Sequence, residues 1–382
     1  MPAAAPPPAS TWFQRFLLPG FAFKAVVIGG GYATGRELAE FFLPGGPWGG
    51  LAGMLLAMAI WSLVCAITFA FARAVGGYDY RTFFRALLGP FWIVFEIAYV
   101  LFVVLILSVF GAAAGAIGAA TLGLPALAGT LALAVAIGLF ATYGNASVER
   151  LFKYVTVLLY SVYVLFVLLS VARFGDRIGH AFASAAPAAN WALGGLTYAS
   201  YNIVGAVVIL PVTRHLTSRR DAVIAGLVAG PLAMLPALLF FVCMCAFLPG
   251  IAQETLPSDV MLQQLRLPAF HYLFQLMIFA ALLESGTGSV HAINERIAGV
   301  WRHARGRDLS HRARAGIAAA LLIGCIFIAD RFGLVALIGS GYRFLAYALL
   351  AVYVVPLLTI GLARLRAPAP DIASATVRAS GS

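Results

Sequence analysis

Along the chain, apolar residues gather into blocks separated by short polar turns, and the first block is interrupted at its own centre. Pro19 to Phe42 reads PGFAFKAVVIGGGYATGRELAEFF, longer than the roughly 20 residues needed to cross a bilayer. Gly29, Gly30 and Gly31 fall in its middle, and Gly35 follows a turn later. Glycine is the residue least able to hold a helix against unwinding. In lipid an unpaired backbone group costs several kcal/mol, so such a break persists only where it lines a cavity or meets a ligand. Apolar blocks recur at about 19–43, 48–73, 90–119, 124–143, 151–173, 190–212, 221–248, 268–296, 314–330 and 333–362. They predict an all-α polytopic membrane protein with ten transmembrane helices.

The sixth block, NWALGGLTYASYNIVGAVVILPVT, is predicted to break near Tyr198–Gly205. Five spans separate the starts of the two halves, and an odd offset turns them over with respect to one another. The expected architecture is a five-plus-five inverted repeat, 19–175 and 190–363, whose two breaks meet at mid-depth. Spans 3 and 8 correspond as well, both long and each with an intramembrane glutamate, Glu96 and Glu284. Close helix packing at the glycines is the competing explanation for either break. The ends, 1–18 and 364–382, are expected as disordered cytoplasmic tails. Met1–Ser10 (MPAAAPPPAS) lacks the basic region and apolar core of a signal peptide.

Composition narrows the class further. The 382 residues are 62% hydrophobic and 10% charged, with mean hydropathy +0.96, a balance foreign to soluble domains. A net charge of +11 raises the question of nucleic acid; its distribution answers no. With the N-terminus inside, 18 of the 25 basic residues fall in cytoplasmic segments, including Arg15, Arg73, Arg150, Lys153, Arg214 and the run from Arg296 to Arg314. Only Arg173, Arg177, Arg266 and Arg331 fall opposite. The asymmetry places both termini in the cytoplasm, and the partners it implies are the bilayer and a small solute. Oligomeric state is not readable. Cys65, Cys243, Cys245 and Cys325 all lie in apolar runs and read as small buried hydrophobes, without disulfide or metal.

GGGYATGRELAEFF resembles the G-A-G-F-A-S-G-Q-E signature of the YkvI family of uncharacterised bacterial membrane proteins, and TYASYN resembles that family's sixth helix. The resemblance spans the whole block pattern, with its motif content in spans 1 and 6. The chain departs from the signature at Gly30, Tyr32, Thr34 and Arg36, the last replacing a neutral residue with a charge. The family is placed in the amino acid–polyamine–organocation superfamily, which implies a LeuT-type fold in a bacterial inner membrane. It also implies that Gly29, Gly30 and Gly31, with Tyr32 and Ala33, hold a solute's carboxylate on free backbone N–H groups, a role that suits a helix N-terminus. In sodium-coupled relatives the corner between helices 1 and 8 holds sodium, here near Ala25, Ile28 and Ser285.

Several residues supply candidate chemistry on their own spacing. Tyr198, Tyr201 and Asn202 are three and four apart and share a helical face, a suitable wall for a zwitterion or amine. Lys24, Glu96 and Glu284 are intramembrane charges and hence functional hypotheses by default. Glu284, Thr287, His291 and Asn294 form a polar stripe that is expected to face protein or water. The hydroxyls Ser285, Thr287 and Ser289 alternate with glycine, so the adjacent pair of the sodium site is missing. An ammonium at Lys24, paired with Glu284 or Glu96, takes the cation's place and favours proton coupling, with sodium left open and a structural ion pair the alternative. Arg36, Glu37 and Glu40 lie on the outer half of span 1; Arg36 and Glu40, four apart, are placed to pair, and with Arg343 the run reads as an outer gate, or as a solvated helix end.

These features point to a secondary active transporter of a small organic solute, amino acid or amine-like, without cofactor or resident metal. A solute-binding membrane sensor is the alternative. An enzyme would need a convergent nucleophile and base, and the polar stripe of span 8 supplies neither. The topology carries its own test. In a background lacking the four native cysteines, S10C and S380C should both resist impermeant thiol reagents in intact cells. Labelling of either from outside contradicts the orientation.

Overall fold

A computed structural model describes residues 10–143, 146–185 and 190–366, and the regular structure among them is helical throughout. Before the first apolar block comes α1 (Trp12–Phe16). Thr11 starts it with a capping box: its hydroxyl accepts from the Gln14 N–H, and the Gln14 side chain accepts from the Thr11 N–H. Helix therefore begins inside the segment 1–18 expected to be disordered. Residues 1–9 and 367–382, which hold the rest of both tails and Arg378, lie outside the described residues, as do the side chains of Arg150 and Lys153.

The first block forms α2 (Leu18–Val27), α3 (Gly30–Ala33) and α4 (Arg36–Phe41). Ile28 leaves the helical region at φ −74°, ψ 87°, and the Gly29 N–H folds back onto the Val27 carbonyl at 2.9 Å. That is an inverse γ-turn, a conformation at home where regular structure ends. A second departure falls at Gly35, whose φ of +78° is left-handed and favours glycine.

Next come α5 (Gly46–Val75), the short α6 (Tyr80–Leu88), α7 (Trp92–Leu122), α8 (Ala126–Tyr143) and α9 (Ala146–Ala183). The second half opens with α10 (Trp191–Asn202) and α11 (Gly205–Val208), followed by a 3₁₀ stretch, Leu210–His215. The chain tightens here without leaving right-handed helical dihedrals. Ile203 and Val204 stay in the αR region, while the Ala206 and Val207 N–H groups reach back three residues to Ile203 and Val204. Tyr198 to Asn202 thus sit within α10, and the change of helix type falls just after them.

The remaining helices are α12 (Arg219–Cys245), α13 (Pro257–Leu265), α14 (Pro268–Arg305), α15 (His311–Ala336), α16 (Tyr342–Leu349) and α17 (Leu362–Arg366), with π-helical turns flanking α16. Among the described residues, six stretches are long and apolar enough to cross a membrane: Arg36–Val75, Tyr80–Leu122, Val157–Ala183, Arg219–Cys245, Pro268–Arg302 and His311–Arg366. The last contains the turn at Gly333, φ +71°, where the pattern predicts the boundary between its final two spans. Leu18–Val27 and Ala126–Ala141 are shorter apolar helices. The four cysteines are free and buried.

At the centre, α5 packs against α10 and α12. Trp61 on α5 is fully buried and its indole N–H donates to the Ala199 carbonyl at 3.1 Å. Gly226 of α12 lies so close to α5 that an added Cβ would collide with the Ala66 backbone. Small residues at such crossings let helices approach closely where lipid gives no hydrophobic drive to associate. G226V should therefore lower the unfolding temperature in detergent, by an overpacking cost of about 1–3 kcal/mol. G324A is the control, because nothing lies within 4 Å of its added methyl. Equal melting of G226V and wild type contradicts the packing.

Candidate functional site

The interruption of the first block is stitched by side chains and a distant loop. The Thr34 hydroxyl donates to the Gly31 carbonyl at 3.1 Å, and the Ser258 N–H donates to the Thr34 carbonyl at 3.0 Å. Arg36 Nη1 donates to the carbonyls of Ala252 and Glu254 at 3.0 and 2.9 Å, and its Nη2 pairs with Glu40 at 2.9 Å. The Gly31 carbonyl thus finds Thr34, the Thr34 carbonyl finds Ser258, and Arg36 in turn satisfies two carbonyls of the segment 252–258, as an interior far from water requires.

Inside this wrapping lies the carboxyl of Glu37, which is 3% exposed. Its Oε2 accepts a 2.8 Å hydrogen bond from the Tyr201 hydroxyl. Its other side presses on Gly31, where an added Cβ would collide with Oε1. Tyr201 stacks on Tyr342 with ring centres 4.3 Å apart and stands edge-on to Tyr198 at 5.7 Å. Phe41, Phe42 and Trp61 complete the wall around Tyr198. The Tyr198 hydroxyl is fully buried and makes no hydrogen bond. A small pocket adjoins Tyr32, lined also by Ile28, Ala33, Tyr160, Tyr163 and Met277. At about 10 Å3 it has room for roughly one water molecule.

Of the residues singled out by the sequence, Gly31, Tyr32, Tyr198 and Tyr201 come together here. Asn202 adjoins them, its amide donating to the Tyr198 carbonyl at 3.2 Å, and Ala33 lines the pocket. Gly29 instead faces the Phe110 ring of α7. Arg36, Glu40 and Arg343 do meet, Glu40 lying 2.9 Å from Arg36 and 3.7 Å from Arg343.

The intramembrane charges are arranged differently from expectation. Lys24 is buried with its Nζ 3.5 Å above the ring of Tyr160, and neither Glu96 nor Glu284 lies within 4 Å of it. Glu96 pairs with Arg296 at 3.1 Å. The polar stripe of α14 divides: Thr287 and Asn294 are buried, Glu284 is half-buried, and His291 is exposed. At 100° per residue Glu284 and His291 lie on one edge of the stripe, so the packed wedge covers only its other half. Ser289 donates to the Ser285 carbonyl at 2.9 Å, while Thr287 Oγ1 is buried without a partner. Of the residues proposed near sodium, Ile28 is buried, Ser285 half-buried and Ala25 exposed.

Glu37, grouped by the sequence with Arg36 and Glu40 at the outer gate, lies instead at the centre against Tyr201. The signal was arithmetic: the i, i+4 pair of Arg36 with Glu40 uses one acid of the run and leaves Glu37 over. A second polar knot was also unread. Asp259 on α13 accepts from His271, Gln263 and Gln275, each at 2.7 Å, beside the loop that covers the break.

No protein-family model matches the chain. It is 26% identical over 295 residues to the uncharacterized membrane protein YkvI of Bacillus subtilis, a match covering 72% of this chain and 79% of that one. Among solved structures it is similar to MhsT in complex with L-phenylalanine (TM-score 0.61, 13% identity), covering 96% of this chain and 99% of that one. It is also similar to a Na+-coupled sialic acid symporter in a substrate-bound, outward-open state (TM-score 0.58, 12% identity), covering 92% and 82%. At these identities the likeness is one of fold. The chain is an all-helical membrane protein built as LeuT-type transporters are, and its structural neighbours are transporters rather than enzymes.

The contact between Glu37 and Gly31 is directly testable. G31A should destabilise the protein markedly in the presence of Glu37 and much less in an E37A background. The coupling, read from unfolding in detergent, should fall at about 0.5–3 kcal/mol, the range for residues in contact. Equal effects of G31A in both backgrounds would remove the contact from the site.

Proposed function

We propose that this protein is a secondary active transporter of a small organic solute, working by alternating access in a bacterial cytoplasmic membrane. Its ten spans form two inverted five-helix repeats, 19–175 and 190–363, with both termini in the cytoplasm. The solute sits between the interrupted first span and α10, against Gly29 to Ala33, Tyr198, Tyr201 and Asn202. The observation that carries this reading is the centre itself: a buried carboxyl at a helix break, with Tyr32, Tyr198, Tyr201 and Tyr342 buried around it. Discontinuous helices at mid-depth are where transporters of this architecture bind solute and ion. The fold shared with MhsT and the sialic acid symporter supports the class.

Two ion-pair groups bracket this centre and support a gating role. Toward the N-terminal end of the bundle, Arg15 makes a bidentate pair with Asp221 on α12, at 2.8 and 2.9 Å. Toward the opposite end, Glu40 joins Arg36 and Arg343. Opening either side requires breaking one group while the other holds. For coupling, the Ser289 hydroxyl is committed to the carbonyl of Ser285, so the three hydroxyls of α14 do not present a contiguous pair. That supports a proton over sodium as the driving ion, with Lys24, Glu96 and Glu284 the candidate carriers.

Counterflow of radiolabelled amines and amino acids into proteoliposomes tests the class, since only a transporter exchanges solute across the bilayer. Concentrative uptake should follow an imposed pH gradient and be unchanged when sodium is replaced by potassium. K24A should retain exchange while losing accumulation. Absence of exchange for every solute that binds the purified protein rejects transport. Uptake that needs sodium and survives K24A assigns the lysine a structural role.

A further inference from the structure

We propose that the Glu37 carboxylate is the built-in counter-charge for an organic ammonium ion, so that the site takes amines and quaternary ammonium solutes and disfavours solutes carrying their own carboxylate. The inference rests on the transporter reading only for its location; the binding chemistry stands on Glu37 and its neighbours.

Three observations converge. First, Glu37 is a buried acid without a buried base. No Lys, Arg or His nitrogen lies within 4 Å of it among the described residues. The adjacent Arg36 turns away to Glu40 and to the carbonyls of Ala252 and Glu254, and Lys24 rests on Tyr160. The one hydrogen bond to the carboxyl comes from Tyr201. A carboxylate removed from water is costly unless a cation and further donors compensate it. The missing partner is a positive charge.

Second, the surroundings suit an organic cation. Tyr201 on α10 holds the carboxyl, Tyr342 on α16 stacks on Tyr201 at 4.3 Å, Tyr198 stands edge-on to it at 5.7 Å, and Tyr32 on α3 follows Gly31, against which the carboxyl rests. Aromatic faces around a single carboxylate recognise ammonium groups through cation–π attraction. An inorganic cation instead asks for six or so oxygen ligands in calcium- or magnesium-type sites, and this cluster offers one carboxylate and a few phenols. The Tyr198 hydroxyl, fully buried and without a partner, is a polar group still to be satisfied by whatever binds.

Third, the place where a solute carboxylate would be expected is already filled. The sequence resemblance assigns that role to the backbone at Gly30, Gly31 and Tyr32, yet Glu37 Oε1 lies against Gly31 so closely that a methyl would not fit. A second carboxylate there would meet both a steric block and a like charge. Specificity then has an attractive and a repulsive element at the same atom.

Matched solutes that differ in one carboxylate make the test: phenethylamine against L-phenylalanine, choline against glycine betaine, and putrescine against ornithine. Thermal shift and equilibrium binding on the detergent-purified wild-type protein come first and need no transport. At least one of the three carboxylate-free cations should bind, and its carboxylated partner should bind at least about 10-fold more weakly. E37Q should weaken that cation by about 30-fold or more, the low end for removing one member of a buried charge pair. The melting profile and monodispersity of E37Q itself report whether its fold survives, and G324A, whose added methyl meets nothing within 4 Å, should retain binding. Preference for the carboxylated member of each pair overturns the proposal, as does silence toward all three cations or full affinity in a folded E37Q protein. Wild-type selectivity decides the question even if E37Q does not fold. The two readings separate cleanly: cation binding without counterflow keeps this site and rejects transport, whereas counterflow of amino acids independent of Glu37 keeps transport and rejects this site.

Discussion

In a hydrocarbon interior every backbone N–H and C=O needs a partner from the protein, and the glycine-rich stretch after Val27 cannot supply its own. Much of the surrounding structure answers that requirement. Ile28 closes a γ-turn, Thr34 returns a hydroxyl to the Gly31 carbonyl, and the Ser258 N–H caps the Thr34 carbonyl from more than 200 residues away. Arg36 then binds two carbonyls of the same distant segment. A salt bridge to Glu40 alone would leave that segment free; the carbonyl contacts fix it over the interruption. The break therefore does more than disturb a helix, because it ties the first span to the loop between α12 and α14.

That tie also explains why Glu37 is buried. On an isolated α4 the run Arg36, Glu37, Glu40 reads as a polar helix end. Once the segment 252–258 closes over it, Arg36 is drawn outward to the carbonyls and Glu37, on a different side of the helix, is turned inward against Gly31 and Tyr201. The Asp259 knot with Gln263, His271 and Gln275 stiffens the covering loop from behind. Each hydrogen bond to a charged group contributes about 1.5–3 kcal/mol net, so a closed cover with several such bonds would open only against a substantial cost. Under the proposed cycle, displacement of the cover and exposure of the centre are one event.

The block pattern and the glycine run were legible because membrane helices leave so few alternatives: length, apolarity and the glycines at 29–31 each point the same way. The Arg36–Glu40 pair was legible through i, i+4 spacing, which needs no knowledge of tertiary structure. The partners of Lys24 and Glu96 were not. Tyr160 and Arg296 lie 136 and 200 positions further along the chain, and nothing local distinguishes them from other tyrosines and arginines. In the range Tyr198–Gly205 the α-helix continues to Asn202 before the turn type changes, so Tyr198 to Asn202 stand on helix and the irregularity is confined to the end of the range. Glu37 was grouped with its neighbours Arg36 and Glu40 as an outer gate or solvated helix end, and only long-range closure turns it inward.

Geometry and exposure also decide which ion pairs hold the bundle. Arg302–Asp308 has side chains 59% and 74% exposed, and a pair in that setting contributes about 0–1 kcal/mol. Arg296 is different in kind. Its guanidinium carbon lies 3.5 Å from the ring centres of both Tyr80 and Tyr99, and its Nη1 reaches Glu96 at 3.1 Å, with side-chain exposures of 14% and 25%. Desolvated cation–π contacts reach about 2 kcal/mol each, and here two act on one group already held by a carboxylate. The flat guanidinium is what makes the sandwich fit, since an ammonium has no face to stack. Through it α6, α7 and α14 are joined at one point. Of the two intramembrane acids that the sequence pairs by repeat symmetry, Glu96 is thereby spent on structure. Glu284, by contrast, is half-buried and has no ion-pair partner among the described residues, so of the carriers proposed above it is the acid least committed to packing.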